Sequence, residues 1–233
     1  MASLIGTWDK AGERKYETGV DRGVLYPQKA DGSYDVGVAW NGLTGVTETP
    51  SGAEETKLWA DNMKYLSLRS AEEFGGTIEA YTYPDEWQAC DGSASLATGL
   101  HAGQQARSAF GLSYRTVVGN DTALNDFGYK LHLVYGATVS PSERAYATIN
   151  DSPEAITFSW EFTTTPVEIP ETVGDFKPTA ILTIDTTELT GGSSNAKLKE
   201  LEDLLYGTDG EGGIGGTDPT LPTPDEVYDI FKA

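Results

Sequence analysis

The chain has 233 residues, enough to bury a sizeable core, and a formal net charge of −20 at pH 7. This acidity argues against tight nucleic-acid binding, because such binding depends on Lys and Arg side chains that displace counterions from phosphates. The acid excess serves equally well to keep an abundant protein soluble or to repel DNA. A single cysteine, Cys90, excludes an intrachain disulfide, and no apolar run approaches the ~18 residues of a membrane span, so no membrane association is predicted.

Apolar residues make up only 38% of the chain, which also contains 27 glycines and many threonine and aromatic residues. This composition favours a β-rich fold with many turns. The N-terminus lacks the basic start and apolar core of a signal peptide, so we expect synthesis in a cytosol-like compartment. Residues 20–27 predict a first strand preceded by an arm, and the alternation from Tyr34 to Trp40 predicts the next strand.

A hairpin is predicted next, with two short strand-like runs at residues 57–61 and 63–68 before its connection and the strand that begins at Thr77 after it. The segment Arg69–Gly76 is polar apart from one phenylalanine, and its closing glycine pair predicts a turn. We interpret this segment as a connection that reaches beyond the sheet. Residues 84–90 predict a short helix, since Pro suits the first turn and acidic residues favour its positive end.

Four strands show clear alternation of apolar and polar rows, as expected for a sheet with one face in water. Their inward rows are Ile78, Ala80 and Thr82; Phe110, Leu112, Tyr114, Thr116 and Val118; Tyr129, Leu131, Leu133 and Tyr135; and Ile156, Phe158, Trp160 and Phe162. The opposite rows of the first and last strands are Thr77, Glu79, Tyr81 and Tyr83, and Thr157, Ser159, Glu161 and Thr163. The rows opposite the other two apolar rows are Ser113, Arg115 and Val117, and Lys130, His132 and Val134. We predict a solvent-facing side for all of these rows, with the basic residues either paired to acids across strands or facing elsewhere.

Residues 91–107 are small and polar and predict a surface loop. Pro166 and Pro170 interrupt ladder pairing, so we place the end of a main β domain, residues 1–166, at this point. Residues 167–233 are expected to form an appendage docked on that domain; the competing interpretation is an arm packed into a neighbouring subunit. Its predicted elements are a strand at 179–185, a helix at 196–206 ended by Gly207, an acidic Gly/Pro-rich linker at 208–224 and a terminal helix at 224–231. If the appendage is peripheral, truncation after Val167 leaves the β domain soluble.

Catalytic motifs are not recognisable in the sequence. The only histidines, His101 and His132, have no Ser or Cys partner in a triad pattern, and His132 is interpreted as a structural strand residue. One cysteine and two histidines do not assemble a zinc site, and no cofactor is predicted.

A carbohydrate-binding β-sandwich module is the alternative from another functional class. Trp59 and Trp87 lie near several acids, and carboxylate pairs are the groups that sugar-cleaving sites use. Such a module should remain monomeric, so oligomeric state distinguishes it from an assembling protein. The acids concerned are Asp61, Glu72, Glu73, Asp85 and Glu86.

Two blocks of short motifs lie within residues 37–86 and 131–166. The first is Gly37–Leu43 (GVAWNGL), Leu58–Asn62 (LWADN), Gly75–Glu79 (GGTIE) and Tyr83–Glu86 (YPDE). The second is Leu131–Gly136 (LHLVYG), Ser140–Pro141, Asn150–Glu154 (NDSPE) and Ser159–Pro166 (SWEFTTTP). In order and spacing, these motifs closely resemble the major tail (tail tube) protein of long-tailed, non-contractile bacteriophages.

The resemblance implies an all-β fold, an antiparallel sandwich or flattened barrel with a short helix, and a structural rather than enzymatic role in the virion tail after synthesis in the host cytoplasm. Subunits of this family form rings, taken to be hexameric, that stack into the tube through which DNA passes without specific binding. The implied lumen-facing residues are Thr77, Glu79, Thr157, Ser159, Glu161 and Thr163, and the implied contacts to the next ring are Arg69, Glu72, Glu73 and Phe74. The implied partners are further copies of the chain, a tape measure protein, and tail completion and tip proteins.

Overall fold

The computed structural model describes residues 10–149, 151, 155–170, 173–189, 192–210 and 215–232. Its strands are β1 (Lys15–Pro27), β2 (Val38–Ala39), β3 (Leu43–Glu48), β4 (Ser51–Gly52), β5 (Glu55–Ala60), β6 (Met63–Arg69), β7 (Glu72–Glu73), β8 (Gly75–Ala80), β9 (Ala94–Ala97), β10 (Leu100–Ala102), β11 (Phe110–Asn120), β12 (Leu124–Val139), β13 (Phe158–Thr164) and β14 (Ile181–Asp185). Its helices are α1 (Trp87–Asp91), α2 (Gly192–Tyr206) and α3 (Pro224–Phe231). The all-β expectation is confirmed, because the strands named here pair antiparallel and the helices are few.

One eight-stranded sheet holds the molecule together. Its order is β2-β1-β11-β12-β13-β8-β3, and β14 pairs with a second part of β12. The sheet curls until β3 approaches β1, where a Cβ on Gly23 of β1 would lie 2.9 Å from the Leu43 side chain of β3. The curl produces an inner face and an outer face on the same set of strands.

The inner face encloses the main core, which is rich in aromatic rings. Trp87, on α1, is fully buried with ring centroids 4.5 Å from Trp40 and 5.3 Å from Trp160. Helix α1 begins at Trp87, three residues later than predicted, and fills the interior of the curl. The predicted apolar rows supply most of this core: Ile78, Ala80, Phe110, Leu112, Tyr114, Trp160 and Phe162 are all buried.

The outer face of β1 and β12 is covered by the C-terminal segment. Leu201 and Leu205, one helical turn apart on α2, are fully buried against this face, and the Tyr26 hydroxyl donates to the Leu205 carbonyl at 2.7 Å. This second core comprises Val24, Tyr26, Leu131, Leu133, Tyr135, Leu201, Leu205, Leu221 and Val227. Because β14 also joins the sheet through β12, the sequence boundary at residue 166 separates two segments that share one sheet.

The C-terminal elements largely follow their sequence signals. Strand β14 covers 181–185 of the predicted 179–185, and α3 begins at Pro224 behind a capping box formed by Thr223 and Glu226. Gly207 ends α2 with a φ of +73°. Helix α2 begins at residue 192, inside the stretch expected to be a break, and residues 211–214 of the predicted linker lie outside the described part of the chain.

A long β-ribbon continues out of the sheet from the pair β3–β8. It passes through the short pair β4–β7 and ends in the hairpin β5–β6. The two strand-like runs at 57–61 and 63–68 therefore pair with each other, whereas the sequence interpretation placed the hairpin connection at Arg69–Gly76. Asp61 and Asn62 form its tip with φ values of +51° and +63°, the conformation that two-residue hairpin turns require. We call residues 49–74 the arm.

The predicted turn at Gly75–Gly76 is wrong, since both glycines lie buried inside strand β8. A Cβ on Gly76 would lie 2.5 Å from the Thr47 carbonyl oxygen and 2.8 Å from the Phe162 ring, so glycine is needed there for close approach rather than for turning. The arm therefore turns at its tip, and the polar segment 69–74 is part of its returning strand.

Four other sequence predictions need correction. The loop predicted at 91–107 contains the hairpin β9–β10, and the strand predicted from Tyr34 to Trp40 is reduced to the two residues of β2 and one isolated bridge. Ile156 is exposed and precedes β13 rather than belonging to it. The solvent-facing prediction also fails for Ser113, His132 and Val134, which are all buried.

Candidate functional site

The outer face of β13, β8 and β3 is left uncovered, and we call it the bare face. In its register, Glu161 lies opposite Thr77, Ser159 opposite Glu79, and Thr163 opposite Gly75. Five of the six implied lumen residues therefore come together on two adjacent strands. The sixth, Thr157, is exposed just before β13 begins.

The charge of the bare face is acidic and uncompensated by its own strands. Glu79 and Glu161 are exposed and sit on adjacent strands, whereas β3, β8 and β13 contain no Lys or Arg. Thr47 extends the polar row onto β3, opposite Thr77. The face thus offers short polar groups and carboxylates to solvent, a surface that repels phosphate.

The hairpin at the end of the arm has two chemically different sides. Directly paired residues share a side, and one side carries Leu58 opposite Leu66 and Thr56 opposite Leu68. The other side pairs Glu55 with Arg69 and Lys57 with Ser67, and Lys64 forms a 2.5 Å ion pair with Glu55.

Large apolar groups on this hairpin are in water. Trp59 is 68% exposed, Met63 64% and Tyr65 70%, and Leu58, Leu66 and Leu68 are also exposed. Every residue of β5 and β6 is exposed, so no other segment that the structure describes packs against these side chains. Contiguous exposed apolar groups of this kind mark contact sites.

The implied inter-ring residues lie at the base of the hairpin rather than on its apolar side. Arg69 ends β6, and Glu72 and Glu73 form β7; all three are exposed. Phe74 is partly buried and packs on the main core, with its ring 6.2 Å from that of Phe162. Sequence reasoning missed the exposed apolar side chains, although the alternation of Leu66 and Leu68 with Ser67 and Arg69 was a signal that one side of β6 is apolar.

The basic residues that fit an acidic lumen poorly are paired with acids, which confirms one of the two sequence alternatives. Arg115 donates to Asp21 at 2.6 Å, and this hydrogen bond holds the pKa of the Asp21 carboxyl below its usual value. Lys130 lies 2.8 Å from Glu17 and lowers the pKa of that carboxyl in the same way. The Arg115–Asp21 pair joins β1 to β11, the Lys130–Glu17 pair joins β1 to β12 across β11, and both lie away from the bare face.

The sugar-binding alternative loses one of its two aromatic residues. Trp87 is fully buried in the main core, so its ring cannot stack on a sugar, and Trp59 lies on the arm. Among the described residues, no group of three or more His, Cys, Asp or Glu is placed to hold a metal ion. In the same part of the chain, no helix has the length and apolar character that crossing a membrane requires.

Comparison with known proteins adds no family to these observations. No protein-family model matches the chain, and no curated protein shows significant similarity to it.

Proposed function

We propose that this chain is a structural virion subunit that assembles with copies of itself into stacked rings, forming a tail tube through which DNA passes. The observation that carries the proposal is the arm. Its hairpin places Leu58, Leu66 and Leu68 on one exposed side, with Trp59, Met63 and Tyr65 exposed near the tip.

An exposed apolar side on an extended ribbon favours association, because burying apolar area contributes about 25 cal/mol per Å². A second copy is the partner that an abundant structural subunit always has available. The curled sheet supports the same proposal, since joining sheets between neighbouring copies covers strand edges that otherwise promote irregular aggregation.

The bare face supports the conduit part of the proposal. Ring symmetry repeats Glu79 and Glu161 once per subunit, which makes belts of negative charge if this face lines the lumen. At physiological salt the screening length is about 8 Å, so such belts act on phosphates that come close to the wall. DNA then slides without sticking. The tape measure and tail completion proteins that the family resemblance implies are further proposed partners.

The test removes the apolar side of the arm and keeps its fold. We expect the triple variant Leu58→Ser, Leu66→Ser, Leu68→Ser to remain folded by circular dichroism, because these side chains are exposed, and to form no rings or tubes in negative-stain electron microscopy. The matched control replaces three residues of the charged side, Glu55→Ser, Lys57→Ser and Lys64→Ser, and should assemble.

Deleting residues 55–69 with a short Gly-Ser link gives a second variant that spares the glycines of β8. The proposal fails if the wild-type protein stays monomeric over a wide concentration range. The proposed role of the arm, in contrast, fails if the leucine variant assembles like the wild type.

A further inference from the structure

His132 occupies an unusual position at one end of the inner face. It is 7% exposed, and its ring stacks flat on Tyr114 with centroids 4.7 Å apart and planes 4° apart. Its two ring nitrogens face carboxylates on different strands. Nε2 lies 3.9 Å from Glu17 on β1, and Nδ1 lies 3.5 Å from Glu48 on β3.

The hydrogen bonds around Thr116 fix which nitrogen of neutral His132 carries the proton. Thr116 Oγ1 lies 2.6 Å from Glu17 Oε1 and 3.0 Å from His132 Nε2. Lys130 holds the pKa of Glu17 low, so that carboxylate has no proton to give and the threonine donates its only one to it. The bond between Thr116 and His132 therefore has the ring Nε2–H as donor.

With the proton on Nε2, the lone pair of Nδ1 points at an acceptor. That acceptor is Glu48 Oε1 at 3.5 Å; the Thr183 hydroxyl on β14, also 3.5 Å away, is the group that donates to Nδ1 of the neutral ring. Glu48 Oε1 already accepts the Tyr114 hydroxyl at 2.6 Å, and burial raises the pKa of Tyr114, so that hydroxyl stays protonated. Neutral His132 and Glu48 thus lie in contact without a hydrogen bond between them.

Glu48 is also the point where the arm leaves the sheet. It is the last residue of β3, and the next residue, Thr49, donates its amide to the Gly75 carbonyl at 2.8 Å as the first rung of the arm. Whatever holds the Glu48 side chain therefore holds the base of the arm. We propose that His132 is a protonation-dependent latch, which on gaining a proton at Nδ1 bonds Glu48 and fixes the base of the arm to β11 and β12.

Burial and the charged groups around His132 together determine how far its pKa lies from the usual value. Burial lowers its pKa, and Lys130 acts in the same direction, whereas Glu48 and Glu17 oppose both. Burial is the largest effect and lowers the pKa of His132 below its usual value, so the latch is open at neutral pH and closes on acidification. This inference concerns contacts within one chain and does not rest on the proposed assembly.

Two mass-spectrometric measurements on the full-length protein test the latch. Exchange of the imidazole C2 hydrogen reports the titration of His132 whether the chain is free or assembled, with His101 as an internal reference. Glu48→Gln should lower the pKa of His132, whereas Glu161→Gln, which removes a distant carboxylate on the bare face, should leave it unchanged.

Amide exchange then reports the arm. As His132 gains its proton, the protection of the Thr49 amide should rise about tenfold, which corresponds to ~1.4 kcal/mol. The increase should be absent in His132→Gln and in Glu48→Gln and present in Glu161→Gln. Protection that follows the same pH profile in wild type and Glu48→Gln, or that falls when His132 is protonated, overturns the latch. Loss of assembly with an intact latch response would count against the proposed function alone.

Discussion

The two halves of the outer face differ in what covers them, although they belong to one sheet. On β1 and β12 the outward rows are apolar, with Tyr26, Leu131 and Leu133 buried under α2 and α3. On β8 and β13 the outward rows are short and polar, with Glu79 and Glu161 exposed. The composition of each outward row therefore determines whether the chain covers that part of the sheet with its own helices or leaves it to solvent.

The arm combines features of both halves, because its side chains are apolar like those of the covered face and exposed like those of the bare face. Removing apolar side chains from water stabilises a folded chain, and the C-terminal helices cover the apolar side chains on β12. Among the described residues, no element covers the apolar side chains of the arm. The chain thus covers the apolar outer face of β1 and β12 with its own helices and leaves the apolar side chains of the arm exposed.

The largest effect is expected from deleting the C-terminal segment that covers the outer face of β1 and β12. Truncation after Val167 deletes β14, α2 and α3 and exposes the outward row of β12, so we expect insoluble or unfolded protein by circular dichroism and sedimentation. The lost apolar burial is large compared with a typical total stability of about 5–15 kcal/mol. A soluble, cooperatively folding fragment would show that the C-terminal segment is peripheral, as the sequence alone allowed.

A single substitution on each half sharpens the contrast. Leu201→Ala, under the covered face, should lower the free energy of unfolding by about 2–5 kcal/mol, because it leaves a cavity in a fully buried site. Thr163→Ala, on the bare face, should change it by no more than about 0.5 kcal/mol. Urea unfolding measures both values, and equal effects would mean that the bare face is also packed against something.

The smallest effect on stability is expected from reversing charge on the bare face. Glu79→Lys with Glu161→Lys changes the formal charge from −20 to −16, two units per site, and should leave unfolding nearly unchanged because both side chains lie in water. If this face lines a lumen, assembled particles of the variant should retain DNA and slow its passage. Normal ejection rates from intact variant tails would refute the lumen assignment, and failure to assemble would move both residues to an interface.

Alternation was sufficient to predict the strands that form the core. Ile78, Ala80, Trp160 and Phe162 face inward as their period of two required, and the polar residues between them face outward. The appendage was predicted as separate elements, but its docking site was not, because an apolar outward row such as that of β12 does not specify which element covers it.

The failures have particular physical causes. The Gly75–Gly76 pair has the composition of a turn, yet the glycines serve the close approach of β3 and the Phe162 ring, which only the folded sheet reveals. His132 resembles a solvent-facing residue in the sequence. Its burial depends on Thr116, Glu17 and Glu48, which lie on other strands and at long separations along the chain.

The length of the arm has a consequence for how two copies of this chain meet. Residues 49–60 are twelve residues, so each strand of the arm spans at most ~40 Å at about 3.3 Å per residue. Repulsion between two bodies of charge −20 decays over about 8 Å at physiological ionic strength but over about 30 Å at 0.01 M. If copies associate through the arm, as we propose, then at physiological salt the apolar tip can reach a neighbour while the two charged bodies remain beyond the range of their mutual repulsion. In dilute buffer the repulsion extends almost as far as the arm, so the proposed association should form more slowly there.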